Sequence, residues 1–245
     1  MSIVPSIMKP QVNRLLAALP ASEYERLIPY MKDVSLSFNQ IIYKAGEPIT
    51  HVYFPHHSVV SIVITTEDGS TIEAGLISNE GMVGIPIILG GNTTTTTAVV
   101  QIPDGATQIN ADIFKTEFNR GGALQSLLLR YVQATYTETT QVLACNRLHT
   151  IEQRLARWLL TVTDRLESED FPLTQEFIAQ MLGVRRSGVT VAASTLSRAG
   201  IIRYNRGHID IINREALEET SCECYRVIKD EFARLLHSAS KHNCG

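Results

Sequence analysis

The spacing of hydrophobic residues divides the chain into stretches of different period. From Val12 to Lys32, apolar residues at Leu15, Leu16, Leu19, Leu27, Ile28 and Met31 recur at helical intervals and predict one or two short helices broken near Pro20. From Val34 to about Phe118, short runs rich in β-branched and aromatic residues alternate with turn signals. VSLSF and IIY precede Gly46, VYF precedes Pro55, VVSIVITT precedes Asp68-Gly69, TIEAGLI precedes Asn79-Glu80-Gly81, and TTTTTAVVQI precedes Pro103-Asp104-Gly105. Many short strands at regular spacing predict an antiparallel sandwich or barrel. Asp68-Gly69 predicts a hairpin, because both positions of a tight turn tolerate positive φ.

The period changes again at about Gly122. Leu124, Leu127, Leu128, Tyr131, Val132, Thr135, Thr139, Val142 and Leu143 recur every three or four residues without Gly or Pro, which predicts a helix of about seven turns. Such a helix either lies under the sheet or pairs with its twin in a homodimer. Heptad-like spacing favours the twin, with Leu124, Leu128, Tyr131, Thr135 and Val142 at the seam and the polar Thr135, Glu138 and Thr139 setting its register. A second helix is predicted over Ile151 to Leu166, with Leu155, Trp158, Leu159 and Val162 on one side. The acidic stretch from Glu167 to Pro172, with Glu169 and Asp170, reads as a solvated linker.

Beyond it, LTQEFIAQMLGVRRSGVTVAASTLSRAGII spans Leu173 to Ile202. Thr174 is placed to cap a helix that buries Phe177, Ile178, Met181 and Leu182, and Gly183 supplies a sharp turn. A second helix from about Arg185 to Arg198 buries Val189, Ala192 or Ala193, and Leu196, and Ala199-Gly200 closes it. Two short helices about a glycine turn make a helix-turn-helix, whose second helix enters the major groove by its N-terminal residues. Those residues are Arg185, Arg186, Ser187 and Thr190. Arginine suits bidentate contact with guanine, and Ser or Thr can contact bases or phosphates. The following IIRYNRGHIDII predicts a small hairpin with Arg203, Arg206 and His208 at its tip, a wing placed to touch phosphates.

Charge sharpens this picture. The 245 residues carry 22 Lys plus Arg and 25 Asp plus Glu, a formal net charge of -3, which taken whole argues against a polyanionic partner. The distribution reverses that. Residues 1–150 hold nine basic and twelve acidic side chains, residues 151–245 thirteen of each, and the window from Phe177 to Ile209 holds five arginines and no Asp, Glu or Lys. No run reaches the roughly 20 apolar residues of a membrane span, and the N-terminal MSIVPSIMKPQ lacks the basic start and apolar run of an export signal. Four cysteines, Cys145, Cys222, Cys224 and Cys244, fit a reducing compartment. A cytoplasmic protein is expected.

YKAGE and HVYF in the β region, the long helix, and LTQEFIAQMLGV followed by a wing are similar to the family of the cyclic-AMP receptor protein and the fumarate and nitrate reduction regulator, over about residues 12 to 212. The resemblance implies an α+β chain: an antiparallel β-roll sensor of the jelly-roll kind with leader helices (1–121), a dimerisation helix (122–148) and a winged helix-turn-helix with a C-terminal helix (149–245). It implies a dimeric transcription regulator that binds double-stranded DNA, for which RNA polymerase is a further possible partner. By position, Thr174 and Gln175 match the family's phosphate-contacting helix start, and Arg186 matches the first arginine of its Ser-Arg-Glu-x-Val-x-Arg pattern. Arg185, Ser187 and Val191 replace that pattern's serine, glutamate and second arginine, so the family's usual half-site is not expected. Cyclic-nucleotide binders of the family place a Glu and then an Arg-Ser in a phosphate cassette. Here the stretch reads Gly84-Ile85-Pro86, then Gly90-Gly91-Asn92 and Thr93 to Thr97. Without the arginine the phosphate lacks its charge-assisted partner, so cyclic-AMP binding of the usual kind is not expected and no cofactor is predicted.

Other constellations weigh less. Cys222-x-Cys224 has only Cys244, His237 and His242 as loosely spaced companions, which favours free thiols on an amphipathic helix over a metal site. No cysteine lies near the N-terminus for an iron-sulfur cluster of the family's kind. His51, His56 and His57, the candidate haem ligands, read as surface residues at a strand edge. No HExxH, GxSxG or P-loop is present, so an enzyme is not expected. The rival is a ligand-sensing roll whose winged helix contacts protein instead of DNA; against it stands the acid-free window.

Overall fold

The computed structural model describes residues 13–166, 168–205 and 207–237. Asn13 caps the short α1 (Arg14–Ala17) by accepting from the N–H groups of Leu15 and Leu16. Its amide nitrogen donates to the carbonyls of Pro55 and Gly81, which fastens the leader to the roll. A second leader helix, α2 (Ala21–Leu27), follows Pro20, where the hydrophobic spacing broke.

The β region is a roll of two facing antiparallel sheets. Its strands are β1 (Lys32–Leu36), β2 (Ile41–Tyr43), β3 (His51–Pro55), β4 (Val59–Thr65), β5 (Thr71–Ile77), β6 (Thr97–Ile102) and β7 (Asp104–Asn110), in the orders β1-β7-β3 and β2-β6-β4-β5. The β4–β5 hairpin forms around Asp68-Gly69 as its sequence predicts, with Thr65 opposite Thr71, but the connection is a longer loop in which Gly69 and not Asp68 takes positive φ. Alternation along β3 sends Val52 and Phe54 inward, where Phe54 meets Phe114 of α3 (Ala111–Asn119) edge-on at 5.5 Å.

The long helix α4 (Gly122–Leu148) spans 27 residues. Its start is held by Glu23 of α2, whose carboxylate accepts from the backbone N–H groups of Ala123 and Leu124 at 2.9 and 2.7 Å, a charge well placed at the positive end of the helix dipole. Gly122 permits that approach: its φ is +80°, and a Cβ there would lie 2.6 Å from the Glu23 carboxylate.

One expectation for α4 is overturned. Leu124, Leu128 and Tyr131 are 2%, 1% and 1% exposed and belong to the roll's own core. A side chain already enclosed by its own chain has no surface left for a twin, so these three do not form a dimer seam. Glu138, expected to set dimer register, is also spent within the chain, on Arg165. Thr135 and Val142 stay half-buried.

After α5 (Ile151–Leu166) comes the head: β8 (Asp170–Pro172), α6 (Gln175–Leu182), α7 (Arg186–Arg198), β9 (Ile202–Asn205), β10 (His208–Ile211), α8 (Arg214–Thr220) and α9 (Cys224–His237). The acidic stretch read as a linker is in part a strand. Asp170–Pro172 pairs with β10 in a sheet of order β8-β10-β9, because Phe171 is an apolar residue that the head can bury; Glu167 lies outside the described residues. α9 runs back along α4.

The head does not hang free of the roll. Its core of α5, α6 and α7 side chains is continuous with Val59, Val63 and Leu76 of the β4–β5 hairpin. Two polar nodes lie in the seam. Trp158 Nε1 and Ser61 Oγ donate to the two oxygens of Glu73 at 3.0 and 2.7 Å. Arg165 donates from Nη1 to the Leu76 carbonyl at 2.6 Å, and pairs through Nε with Glu80 and through Nη2 with Glu138, each at 2.9 Å. Burial works against the Arg165 charge, but Glu138 and then Glu80 more than offset it and hold its pKa above the ordinary range.

Candidate nucleic-acid interface

Thr174 accepts from the Phe177 N–H and caps α6, as its place before the apolar run implied. Gly183 ends α6 in the left-handed region, at φ 60° and ψ 42°, where a β-carbon would be strained. That turn sets α7 across α6, with Val189, Ala192, Ala193 and Leu196 buried between the helices. The opposite face of α7 looks outward. Arg185, Arg186, Ser187, Thr190 and Val191 are all exposed.

Two details join these residues into one surface. Thr190 Oγ1 donates to Gln175 Oε1 at 2.7 Å, so the first residue of α6 and the exposed face of α7 are linked across the turn. Arg185 stands at the N-cap of α7 without a side-chain cap bond. The first N–H groups and the positive end of the α7 dipole lie at the exposed Arg185 and Arg186, an arrangement suited to phosphate. Arg154 braces the motif from behind by donating to the Leu182 carbonyl at the end of α6.

The wing is the β9–β10 hairpin, with Asn205 opposite His208. Arg203 and His208 lie on it and are exposed. Arg203 is partly offset by Asp210 across the ladder, at 3.7 Å, an acid one residue beyond the basic window. Arg206 lies outside the described residues. Leu173 N–H donates to Gly207 O and Tyr204 OH to Leu173 O, so the wing is tied to the residue that leads into α6. The seven described members of the expected DNA-binding set other than Arg203 thus fall as five on the helix-turn-helix face, His208 on the wing, and Thr174 at the head of α6.

In the roll, three hydroxyls of the run Thr93 to Thr97 have protein partners. Thr94 Oγ1 and Thr96 Oγ1 are 3.1 Å apart, and Thr97 Oγ1 accepts from Ala45 N–H. Thr96 also bonds the buried Tyr43, whose phenol burial pushes up to about 12. His56 bonds Thr107 Oγ1 at 2.9 Å, and burial lowers its pKa. A cavity of about 710 Å³ opens elsewhere, at the junction of α1, α4, α5 and α9, beside Arg14, Leu127, Arg165, Lys229 and Phe232, a size suited to a small ligand. Among the described residues, no helix is long and apolar enough to cross a membrane.

Sequence reasoning missed the exposed apolar stripe of α4. Leu129, Tyr136 and Leu143 are 50%, 70% and 72% exposed and stand seven residues apart. That interval was visible in the sequence, but period alone does not tell which stripe the chain's own roll covers. It also missed the companions of Cys222 and Cys224, which are Cys145 and His149 of the α4 end; Cys244 and His242 lie outside the described residues.

Comparison with known proteins agrees with both halves of this architecture. Residues 33–120 match the family model of the cyclic nucleotide-binding domain, and residues 153–220 that of the Crp-like helix-turn-helix domain. No curated protein matches the sequence closely enough to count as a relative. Among solved structures, FixK2 from Bradyrhizobium japonicum superimposes with a TM-score of 0.69 at 18% identity, over 78% of this chain and 98% of that one. TTHA1359, a transcriptional regulator of the CRP/FNR family from Thermus thermophilus, gives 0.62 at 17% identity over 78% and 98%. The c-di-GMP responsive global regulator CLP of Xanthomonas campestris gives 0.62 at 14% identity over 78% and 99%. At these identities the likeness is one of fold.

Proposed function

Since the chain belongs to the Crp/Fnr family of transcription regulators, we propose that it is a homodimeric, sequence-specific binder of double-stranded DNA that acts in the cytoplasm, and not an enzyme. The observation that carries this reading is the outward face of α7, where Arg185, Arg186, Ser187 and Thr190 project beside an uncapped helix start inside a window without acids. Arg185 and Arg186 are the groups for guanine or phosphate, Ser187 and Thr190 for base edges, and Gln175 with Thr174 for the flanking phosphate. Val191, 60% exposed, puts an apolar group where an arginine is usual, which suits a thymine methyl. Arg203 and His208 of the wing reach the backbone beside the groove.

Dimerisation is assigned to the exposed α4 stripe of Leu129, Tyr136 and Leu143, with Thr139 between its apolar members. It would set two heads on successive major grooves, about 34 Å apart. The signal sensed by the roll is not cyclic AMP held in the usual manner: the family's Glu and Arg are missing from the cassette, and Thr94, Thr96 and Thr97 are engaged with their own fold.

Fluorescence anisotropy with genomic DNA fragments over a salt series tests the proposal. Affinity should fall by about one log unit per log salt for each phosphate contact. A response flat in salt would sink the DNA reading and favour a head that contacts protein.

A further inference from the structure

Three thiols and one imidazole converge at the joint between α4 and α5, although no spacing in the sequence brings them together. Cys145 lies in the last turns of α4 and His149 is the residue that ends the helix. Cys222 precedes α9 and Cys224 begins it. The four ligand atoms lie within 4.8 Å of one another, and all three cysteines are buried. Cys145 Sγ and Cys222 Sγ are 3.4 Å apart, and Cys224 Sγ is 3.6 Å from His149 Nδ1.

We propose that Cys145, His149, Cys222 and Cys224 bind a single zinc ion in a Cys3His site that clamps the C-terminal helix to the end of α4. A tetrahedral ion with bonds of about 2.3 Å to sulfur and about 2.0 Å to nitrogen holds its ligand atoms roughly 3.5–3.8 Å apart, close to the separations found. Three thiolates and one imidazole form the soft donor set that selects zinc over the hard oxygen-seeking cations. An iron-sulfur cluster fits less well, since its protein ligands bind different irons and stand farther apart.

The surroundings point the same way. The other ring nitrogen of His149, Nε2, is 3.3 Å from the Glu223 carboxylate, the outer partner that fixes the tautomer of a metal-bound histidine and turns Nδ1 toward the ion. Gln141 Nε2 donates to Cys224 Sγ at 3.3 Å. Zinc with three thiolates carries one net negative charge, and the guanidinium groups of Arg154 and Arg157, both buried and both felt by the Cys145 sulfur, supply the compensating charge.

The test uses the full-length chain, reduced and supplied with zinc or with cobalt. Elemental analysis should find one zinc ion per chain. The cobalt form should show thiolate-to-cobalt charge-transfer absorption and the intense visible bands of a tetrahedral site. Cys222→Ser with Cys224→Ser should lose the metal, His149→Ala should weaken its retention against a chelator, and chelation should lower the Tm of the parent chain. The cobalt spectrum requires no variant, so a misfolded mutant does not decide the matter. The proposal is overturned by a reduced chain that takes up no zinc from excess, by full metal retention in the double variant, by the absorption of an iron-sulfur cluster, or by a cobalt spectrum without charge transfer.

Discussion

Arg186 stands first in α7, exposed, and its backbone carbonyl shares the Thr190 hydroxyl proton with the nearer Gln175 Oε1. A guanidinium so placed has a fixed root and an open end. Arg186→Ala should therefore cost about 1–3 kcal/mol on the preferred site and relax base preference at one position, measured by competition anisotropy against single-base variants of a selected operator. Equal weakening on every sequence would make Arg186 a phosphate contact instead. At this scale the sequence was most informative where chemistry is local. The Thr174 cap, the Gly183 turn and the arginines of α7 are each decided within a few residues of chain. Cys145 and His149 were not legible as companions of Cys222 and Cys224, because the contact spans 77 residues and depends on α9 folding back along α4.

The long helix shows why element boundaries were easier to read than faces. Its extent follows from an uninterrupted run of three- and four-residue spacings, and Gly122–Leu148 matches that run. Its sides are a different matter. One carries Leu124, Leu127, Leu128 and Tyr131 into the roll, another meets α9, and a third exposes Leu129, Tyr136 and Leu143. A helix apolar on several sides contains more than one heptad-like track, and only packing tells them apart. The assignment predicts opposite outcomes for two leucines of this helix. Leu143→Asp should raise the dimer dissociation constant tenfold or more, equivalent to about 1.4 kcal/mol, with little change in fold. Leu128→Ala should instead cost about 2–5 kcal/mol of stability through a buried cavity and leave association of the folded chain intact. Sedimentation velocity beside thermal unfolding separates the two. A monomer–dimer balance untouched by Leu143→Asp would show that the seam lies elsewhere.

At the scale of the whole molecule, roll and head meet over a titrating group. Burial raises the Glu73 carboxyl from 4.5 to about 7, and the bonds from Ser61 and Trp158 only partly oppose it. A carboxyl held higher in the folded chain than in the unfolded one favours folding while protonated. Its contribution is complete below about pH 4.5 and is lost as pH rises through about 7. Glu73→Gln keeps an acceptor for the Trp158 N–H without the charge. It should flatten this loss and make the chain about 1–2 kcal/mol more stable than the parent at about pH 8, as read by thermal unfolding across pH. An unchanged pH profile would show that the Glu73 carboxyl stays ionised in the seam. None of this junction was legible beforehand, because the glutamate looks like an ordinary polar residue of a half-exposed strand until Trp158 of α5 is laid against it.

The β8 strand, three residues of the acidic stretch whose sequence predicts a solvated linker, has a mechanical meaning. It welds the wing to the segment that feeds α6, and Leu173, Tyr204 and Gly207 close the weld from both sides. Recognition helix and wing thus form one stiff lever, and the backbone leaves helical geometry between lever and long shaft at His149. In the proposed DNA complex such a lever would resist bending toward a badly spaced half-site, and the error would pass into the double helix as twist stored in the untouched base pairs between the half-sites.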